Sequence, residues 1–237
     1  MFQLSAHLQV YINKVMRETE RPVLIQETQD LGLPGMLART RPHPSHIIVE
    51  ILPNIPWAQL EQLIAHEITH GYLWYKMGYC QPIMQQEIDD IDRLGVSILV
   101  NMVEDIVVNK IVQGEGFRPF AFNYLDMVQR ETKAARKGQN IYRDYTEPKI
   151  KEKFMVYRYI MAWGFLEYYD IPPKEREIIT RFTKAFRYSY PRQYKKAKQV
   201  EDIIKENDIF TTTAYCEAIK KVLELWDLDK LVVLSFN

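Results

Sequence analysis

In the run LIAHEITHGYLWY, residues 63–75, two histidines and a glutamate interrupt an otherwise apolar, helical stretch. His66 and His70 are four residues apart, so on a helix their imidazoles share one face and can reach a single ion at about 2.0–2.1 Å. Glu67 stands beside the first of them, where a carboxylate can take a proton from a water held by that ion. The pattern His-Glu-x-x-His is that of a zinc centre that activates water. Burying these groups in an apolar helix is costly unless something satisfies them, and one metal ion serves both histidines at once. The bland alternative is a pair of hydrogen-bonded core histidines with a buried glutamate, each needing a partner of its own. Glu67 and His70 also make a Glu-x-x-His unit, which di-iron bundles carry in pairs. The other histidines are His7, His43 and His46, and none follows a glutamate by three residues, so no second copy exists.

Two histidines leave a water-activating zinc one protein ligand short. The apolar run LGVSILVNMVEDIVVNKIV (94–112) offers candidates. Asn101, Asp105 and Asn109 recur every four residues, a polar line down a helix of Val, Ile, Leu and Met, with Glu104 beside Asn101. A single polar residue there would read as an exposed seam, but four among so many branched apolar side chains point to the lining of a site. On spacing alone either Glu104 or Asp105 can be the third ligand. Asn101, Asn109 and the unused carboxylate would then orient the histidines. A donor for a developing oxyanion is also required, and Tyr72, Tyr75, Tyr142, Tyr145 and Tyr157 are all candidates.

The elements that must position these residues follow from periodicity. Helical spacing predicts an amphipathic helix over 2–19, and RPVLIQE (21–27) reads as a short strand. The Gly- and Pro-punctuated segment 30–45 reads as a loop, and HIIVEIL (46–52) as the best strand in the chain. A long buried helix is expected from Trp57 to Met77, opened by Pro56 with Asn54 as a possible cap and stopped by Gly78. The acidic connector QQEIDDIDR (85–93) precedes the helix over 94–112, which Gly114 and Gly116 end. Residues 113–148 read as a polar, mixed segment, followed by helices over 149–169, 173–188, 192–206 and 211–228 with Pro172, Pro173 and Pro191 as breaks. The expected fold is α+β, a small sheet on a predominantly helical body, in one domain spanning 1–237. Its 1–116 half would carry the site, and 117–237 would form a helical C-terminal half.

Over residues 46–112 this arrangement resembles the zincin metallopeptidases of the gluzincin type: a strand, a helix with His-Glu-x-x-His, and a later helix that gives a carboxylate. In that class Asp or Asn often follows the carboxylate by four residues and hydrogen-bonds a ligand histidine. Asp105 followed by Asn109 fits that spacing, whereas Glu104 followed by Val108 does not. The string NMVEDIVVN is also similar to the N-x-x-x-D-x-x-x-N helix of metallopeptidase-like domains found beside von Willebrand A modules. The resemblance implies Zn2+ held by His66, His70 and Asp105, with Glu104 as the alternative third ligand. Glu67 would be the general base, and peptide bonds would be cut in a protein or peptide substrate. A zinc-stabilised regulatory domain that binds a partner without cutting is the rival expectation, against which Glu67 speaks, because structural zinc needs no base.

Composition bounds the rest. In 237 residues, Lys+Arg and Asp+Glu balance at 31 each, so no global charge calls for nucleic acid or anionic membrane. The stretch RFTKAFRYSYPRQYKKAKQ (181–199) interleaves basic and aromatic residues, as single-strand grooves do, but its helical spacing favours an amphipathic helix with snorkelling lysines. His43 and His46 read as a loop histidine and a strand-opening histidine, and the acidic connector lacks the glycine turn of a calcium loop. Cys80 and Cys216 match no metal or redox spacing and read as reduced thiols. With no secretory pattern at the start and no unbroken apolar run, a cytoplasmic protein without membrane association is expected.

Overall fold

The computed structural model describes residues 4–32, 36–85, 87–119, 123–139, 142 and 147–236. The fold is α+β, with small sheets and a helical C-terminal half, as the sequence predicts. The chain divides into two units, one built from residues 1–79 and 108–122, the other from 80–107 and 123–236.

The first unit opens with α1 (Ala6–Thr19), whose Ser5 hydroxyl accepts a bond from the Leu8 amide at 3.2 Å. That cap satisfies one of the orphan donors of the first turn. Leu8, Tyr11, Ile12 and Val15 form the buried stripe. A three-stranded sheet follows: β1 (Val23–Glu27), β2 (Ala38–His43) and β3 (His46–Ile51), in the order β1-β3-β2. The central strand β3 runs parallel to β1 and antiparallel to β2. One sequence expectation is corrected here. Residues 38–43 are a strand inside the expected loop, missed because ARTRPH has no apolar alternation and carries a proline at position 42, a composition that suits only an edge. The strand at 46–52 presents no edge to an extended partner, because both its sides are paired.

The pleat sorts the side chains. Ile47, Val49 and Ile51 face inward and are buried, and Thr40, opposite Val49, shares that face. On the other face Glu50 accepts from Arg39 at 2.5 Å, Arg41 at 3.2 Å and Gln26 at 3.2 Å. Burial pushes the Glu50 carboxyl up, but the two guanidinium groups more than offset it and hold it below the usual carboxylate range.

Helix α2 (Trp57–Tyr75) lies on the inner face, with Leu60, Ile64, Ala65, Ile68 and Leu73 buried. Its first residue follows Pro56 without a side-chain cap, and Asn54 instead takes a left-handed turn position at φ 64°. Gly78, at φ 70°, ends the helical path where a Cβ would be strained. Gly71 sets the distance between helix and sheet: a Cβ there would lie 2.7–2.8 Å from three carbons of Ile47.

The second unit contains β4 (Gln81–Met84), most of α3 (Asp90–Gly114), α4 (Asn123–Arg136), α5 (Pro148–Tyr168), α6 (Pro173–Ser189), α7 (Pro191–Glu206), α8 (Thr212–Glu224) and β5 (Val232–Ser235). The acidic connector is in part the start of α3. Asp90 and Asp92 sit in its first turn, where the helix dipole favours them, and the Asp89 carboxylate accepts from the Asp92 amide at 2.7 Å. Helix α4 lies in the segment read as polar and mixed, and its apolar signal is weak because its buried face is only Val128, Ala134, Ala135 and a few polar residues. Strands β4 and β5 pair antiparallel. Cys80 and Cys216, expected as reduced thiols, are bonded to each other across 136 residues. A crosslink closing so long a loop restricts the unfolded chain by up to roughly 5 kcal/mol in the chain-entropy picture.

The contact between Gly71 and Ile47 yields a direct test. Gly71→Ala gains about 1 kcal/mol of helix propensity but must displace Ile47, an overpacking cost of about 1–3 kcal/mol. Urea denaturation should show net destabilisation, and adding Ile47→Val should recover part of it. A Gly71→Ala protein more stable than the parent would show that the sheet does not constrain the helix here.

Candidate metal centre

Within α2, His66, Glu67 and His70 each offer a ligand atom within 4.8 Å of the others. Glu67 and His70 are buried and His66 half-buried. The two imidazoles face each other with Nε2 atoms 3.2 Å apart. Two nitrogens that far apart, each about 2.05 Å from one ion, subtend an angle of about 100° at it, near the tetrahedral value that zinc takes. The donor set therefore fits the metal that the motif implies.

Asn109, near the end of α3, fixes the state of His66. Its side-chain carbonyl lies 3.0 Å from His66 Nδ1, so that nitrogen donates and the Nε2 lone pair points to His70, where it accepts from His70 Nε2. Asn109 is itself buried, where a bond of this kind holds the ring in one orientation.

The opposite side of α2 is braced by α1. The buried Thr69 hydroxyl donates to the Ala65 carbonyl at 2.6 Å and accepts from Tyr11 at 2.7 Å. Tyr72 donates to Glu18 at 2.7 Å, and burial together with that bond pushes its phenol up to about 12. His7, from α1, donates to the Glu115 carbonyl at 2.8 Å and stacks on Phe117 at 4.2 Å. The C-terminal half of the helix that carries the candidate ligands is thus held to α1 by hydrogen bonds as well as by apolar packing.

Glu67 has a partner that the sequence does not reveal. The Thr40 hydroxyl, on the inward face of β2, lies 2.8 Å from Glu67 Oε2 and 2.5 Å from the Glu67 carbonyl oxygen. It ties one carboxylate oxygen to the strand and leaves Oε1 for a proton. Thr40 sits in a stretch with no strand signal, so only the sheet register brings it under α2.

The other expected site residues lie on α3 in the second unit. Glu104 is buried and accepts from the Tyr215 hydroxyl at 2.6 Å. Asp105 is buried and accepts from Tyr157 at 2.6 Å, and burial with the Asp105 charge raises that phenol well above its ordinary value. Asn101 is half-buried on the same helix. Among the tyrosines weighed as oxyanion donors, Tyr75 bonds the backbone of His43 and Tyr142 donates to Glu131. Tyr145 lies outside the described residues.

The basic and aromatic stretch 181–199 resolves into parts of α6 and α7. Phe182 and Phe186 are buried, Arg181 pairs with Glu177, Lys198 with Asp202, and Lys196 bonds the Leu225 carbonyl while lying 5.0 Å from the Trp226 ring. These contacts are those of an amphipathic helix pair with snorkelling cations.

No family model, curated protein or solved structure matches the chain.

The Thr40 contact yields its own test. Thr40→Val keeps the shape and removes the hydroxyl, while Thr40→Ser keeps the hydroxyl. In any reaction where Glu67 moves a proton, the Val variant should lose roughly 10- to 100-fold in kcat. The Ser variant should stay near the parent, and metal affinity should change little in both. Equal activity of the Val and Ser variants would remove Thr40 from the site.

Proposed function

We propose that this chain is a zinc-dependent metallopeptidase that hydrolyses peptide bonds with Glu67 as general base. The observation that carries the reading is the facing pair of His66 and His70 Nε2 atoms, 3.2 Å apart, with Asn109 fixing the tautomer of one. The two rings are hydrogen-bonded to each other through these atoms, and an ion taking the place of the shared proton would be held by both, with Glu67 beside it.

His66 and His70 would hold Zn2+ with Asp105 as the third ligand, or Glu104 in its place. Zinc, when bound, polarises a carbonyl and lowers the pKa of water at its open position to about 7. Glu67 takes the proton of the attacking water on the oxygen that Thr40 leaves unbound, then passes it to the departing amine. Thr40 holds the carboxylate still between those two transfers. Asn109 keeps His66 oriented, and Asn101 is assigned a supporting role on the same helix face. An extended substrate would pair with β2, which β3 leaves open on one side among the described residues.

No described helix is long and apolar enough to cross a membrane. We place the protein in the cytoplasm on its sequence. The bond between Cys80 and Cys216 weighs against that location, since cytosolic thiols are mostly kept reduced.

Two measurements test the reading. After dialysis against a weak chelator, the purified protein should keep close to one zinc per chain and lose it on His66→Ala or His70→Ala. In the same assay Asp105→Ala should weaken zinc more than Glu104→Ala, and the reverse order reassigns the ligand. Zinc kept in full by the His66→Ala, His70→Ala double variant refutes the metal centre.

Glu67→Gln, screened on a peptide library, should keep its zinc and its thermal stability and lose roughly hundredfold to ten-thousandfold in hydrolysis. Undiminished cleavage removes Glu67 from the mechanism. Zinc binding without cleavage by either protein makes the chain a zinc-stabilised binding domain instead.

A further inference from the structure

The tip of the β2–β3 hairpin brings two histidines together on the face of the sheet turned away from α2. His43 and His46 are register partners across the two-residue turn Pro44–Ser45. Directly opposed residues of an antiparallel pair have Cβ atoms about 4.5–5.5 Å apart, within reach of one chelated ion. The two rings converge on a single point, with the Ser45 hydroxyl oxygen 3.2 Å from His43 Nδ1 and 2.8 Å from His46 Nδ1. The Ser45 amide, 3.3 Å from His43 Nδ1, makes that nitrogen an acceptor with its lone pair directed into the turn. Ring centroids are 5.3 Å apart and the rings are inclined at 61°.

The tip is also held rigid. The Tyr75 hydroxyl accepts from the His43 amide at 3.1 Å and donates to the His43 carbonyl at 3.0 Å, gripping the same residue twice. Arg21 covers the Tyr75 ring at 3.9 Å. Pro42 and Pro44 flank His43 and fix the backbone on either side. A chelate on such a frame loses little conformational freedom when it closes. The next cation along this face of β2 is Arg41, which is paired with Glu50 at 3.2 Å.

We propose that His43 and His46 form a second metal site, a two-imidazole chelate for a late divalent transition-metal ion. The ion takes the point the Ser45 hydroxyl now holds between the two Nδ1 atoms, with water completing its coordination. Imidazole ligands favour copper and zinc over magnesium or calcium, and Cu2+ binds most tightly in the divalent series. With only two protein ligands, the site releases its ion to a weak chelator that leaves the α2 centre loaded. It lies on the opposite face of the sheet from His66 and His70, so it stands or falls independently of the proposed peptidase activity.

The test uses the His66→Ala, His70→Ala variant, in which His43, His46 and His7 are the remaining histidines and His7 is engaged by Glu115 and Phe117. If that variant does not fold, the His66→Gln, His70→Gln variant replaces it. Titration with Cu2+ should give one bound ion per chain, and its electron paramagnetic resonance spectrum should show two nitrogen ligands. Adding either His43→Ala or His46→Ala should weaken binding at least tenfold and reduce the signal to one nitrogen, while Ser45→Ala should keep both. Copper binding that is unchanged by removing both hairpin histidines, or absent before they are removed, overturns the proposal.

Discussion

Where α2 crosses β3, a glycine faces an isoleucine with no room for a methyl group between them, and the candidate site depends on that contact. Gly71 follows His70 directly, so the depth at which the helix settles on the sheet sets the height of both histidines above it. It also sets the reach of β2. Thr40 lies on the inward face of the neighbouring strand and bonds Glu67 only because helix and sheet are this close. Packing interiors tolerate little change in separation, since side chains interlock at near-crystalline density. A helix held farther out would keep its motif and lose the partner of its glutamate.

The electrostatics of the first unit follow the same division. The inward face of the sheet is apolar under α2 apart from Thr40, with Glu27 on that face only at the exposed end of β1, while the outward face collects Glu50, Arg39, Arg41 and Gln26 into one hydrogen-bonded cluster. Charge on one side and hydrocarbon on the other fix the register, because a one-residue slip would bury the arginines under α2. The register in turn decides which hydroxyl meets Glu67 and which histidines meet at the hairpin tip. The two proposed sites, one on each face, thus depend on the same alternation of side chains.

The parts of this architecture that were legible in the sequence are those that repeat. Helices α1, α2, α5, α6, α7 and α8 follow the expected segments closely, because long apolar periodicities and proline breaks leave few alternatives. His66, Glu67 and His70 were legible for the same reason, as a fixed spacing on a helix whose phase is known. The strand β2 was not, because its side chains answer to neighbours from other parts of the chain: Arg39 and Arg41 to Glu50, Thr40 to Glu67. Tyr215 and Tyr157 were hidden among 15 tyrosines until folding set them against Glu104 and Asp105. The pairing of Cys80 with Cys216 was lost to the same cause, since separation along a chain says nothing of proximity. Local rules locate elements, and only tertiary contacts choose partners.

The bond between Cys80 and Cys216 has a consequence for how damage to this protein would be seen. It ties the residue that follows the Gly78 turn to α8, and the β4–β5 pairing fastens the same region a second time. A single backbone cut anywhere between residues 80 and 216, by an outside protease or by the protein itself, leaves both pieces covalently joined. Under oxidising conditions such a nicked molecule runs on a gel at the mass of the intact chain. Fragments separate only after thiol treatment, so a cut in this span stays invisible to any gel run without a reductant.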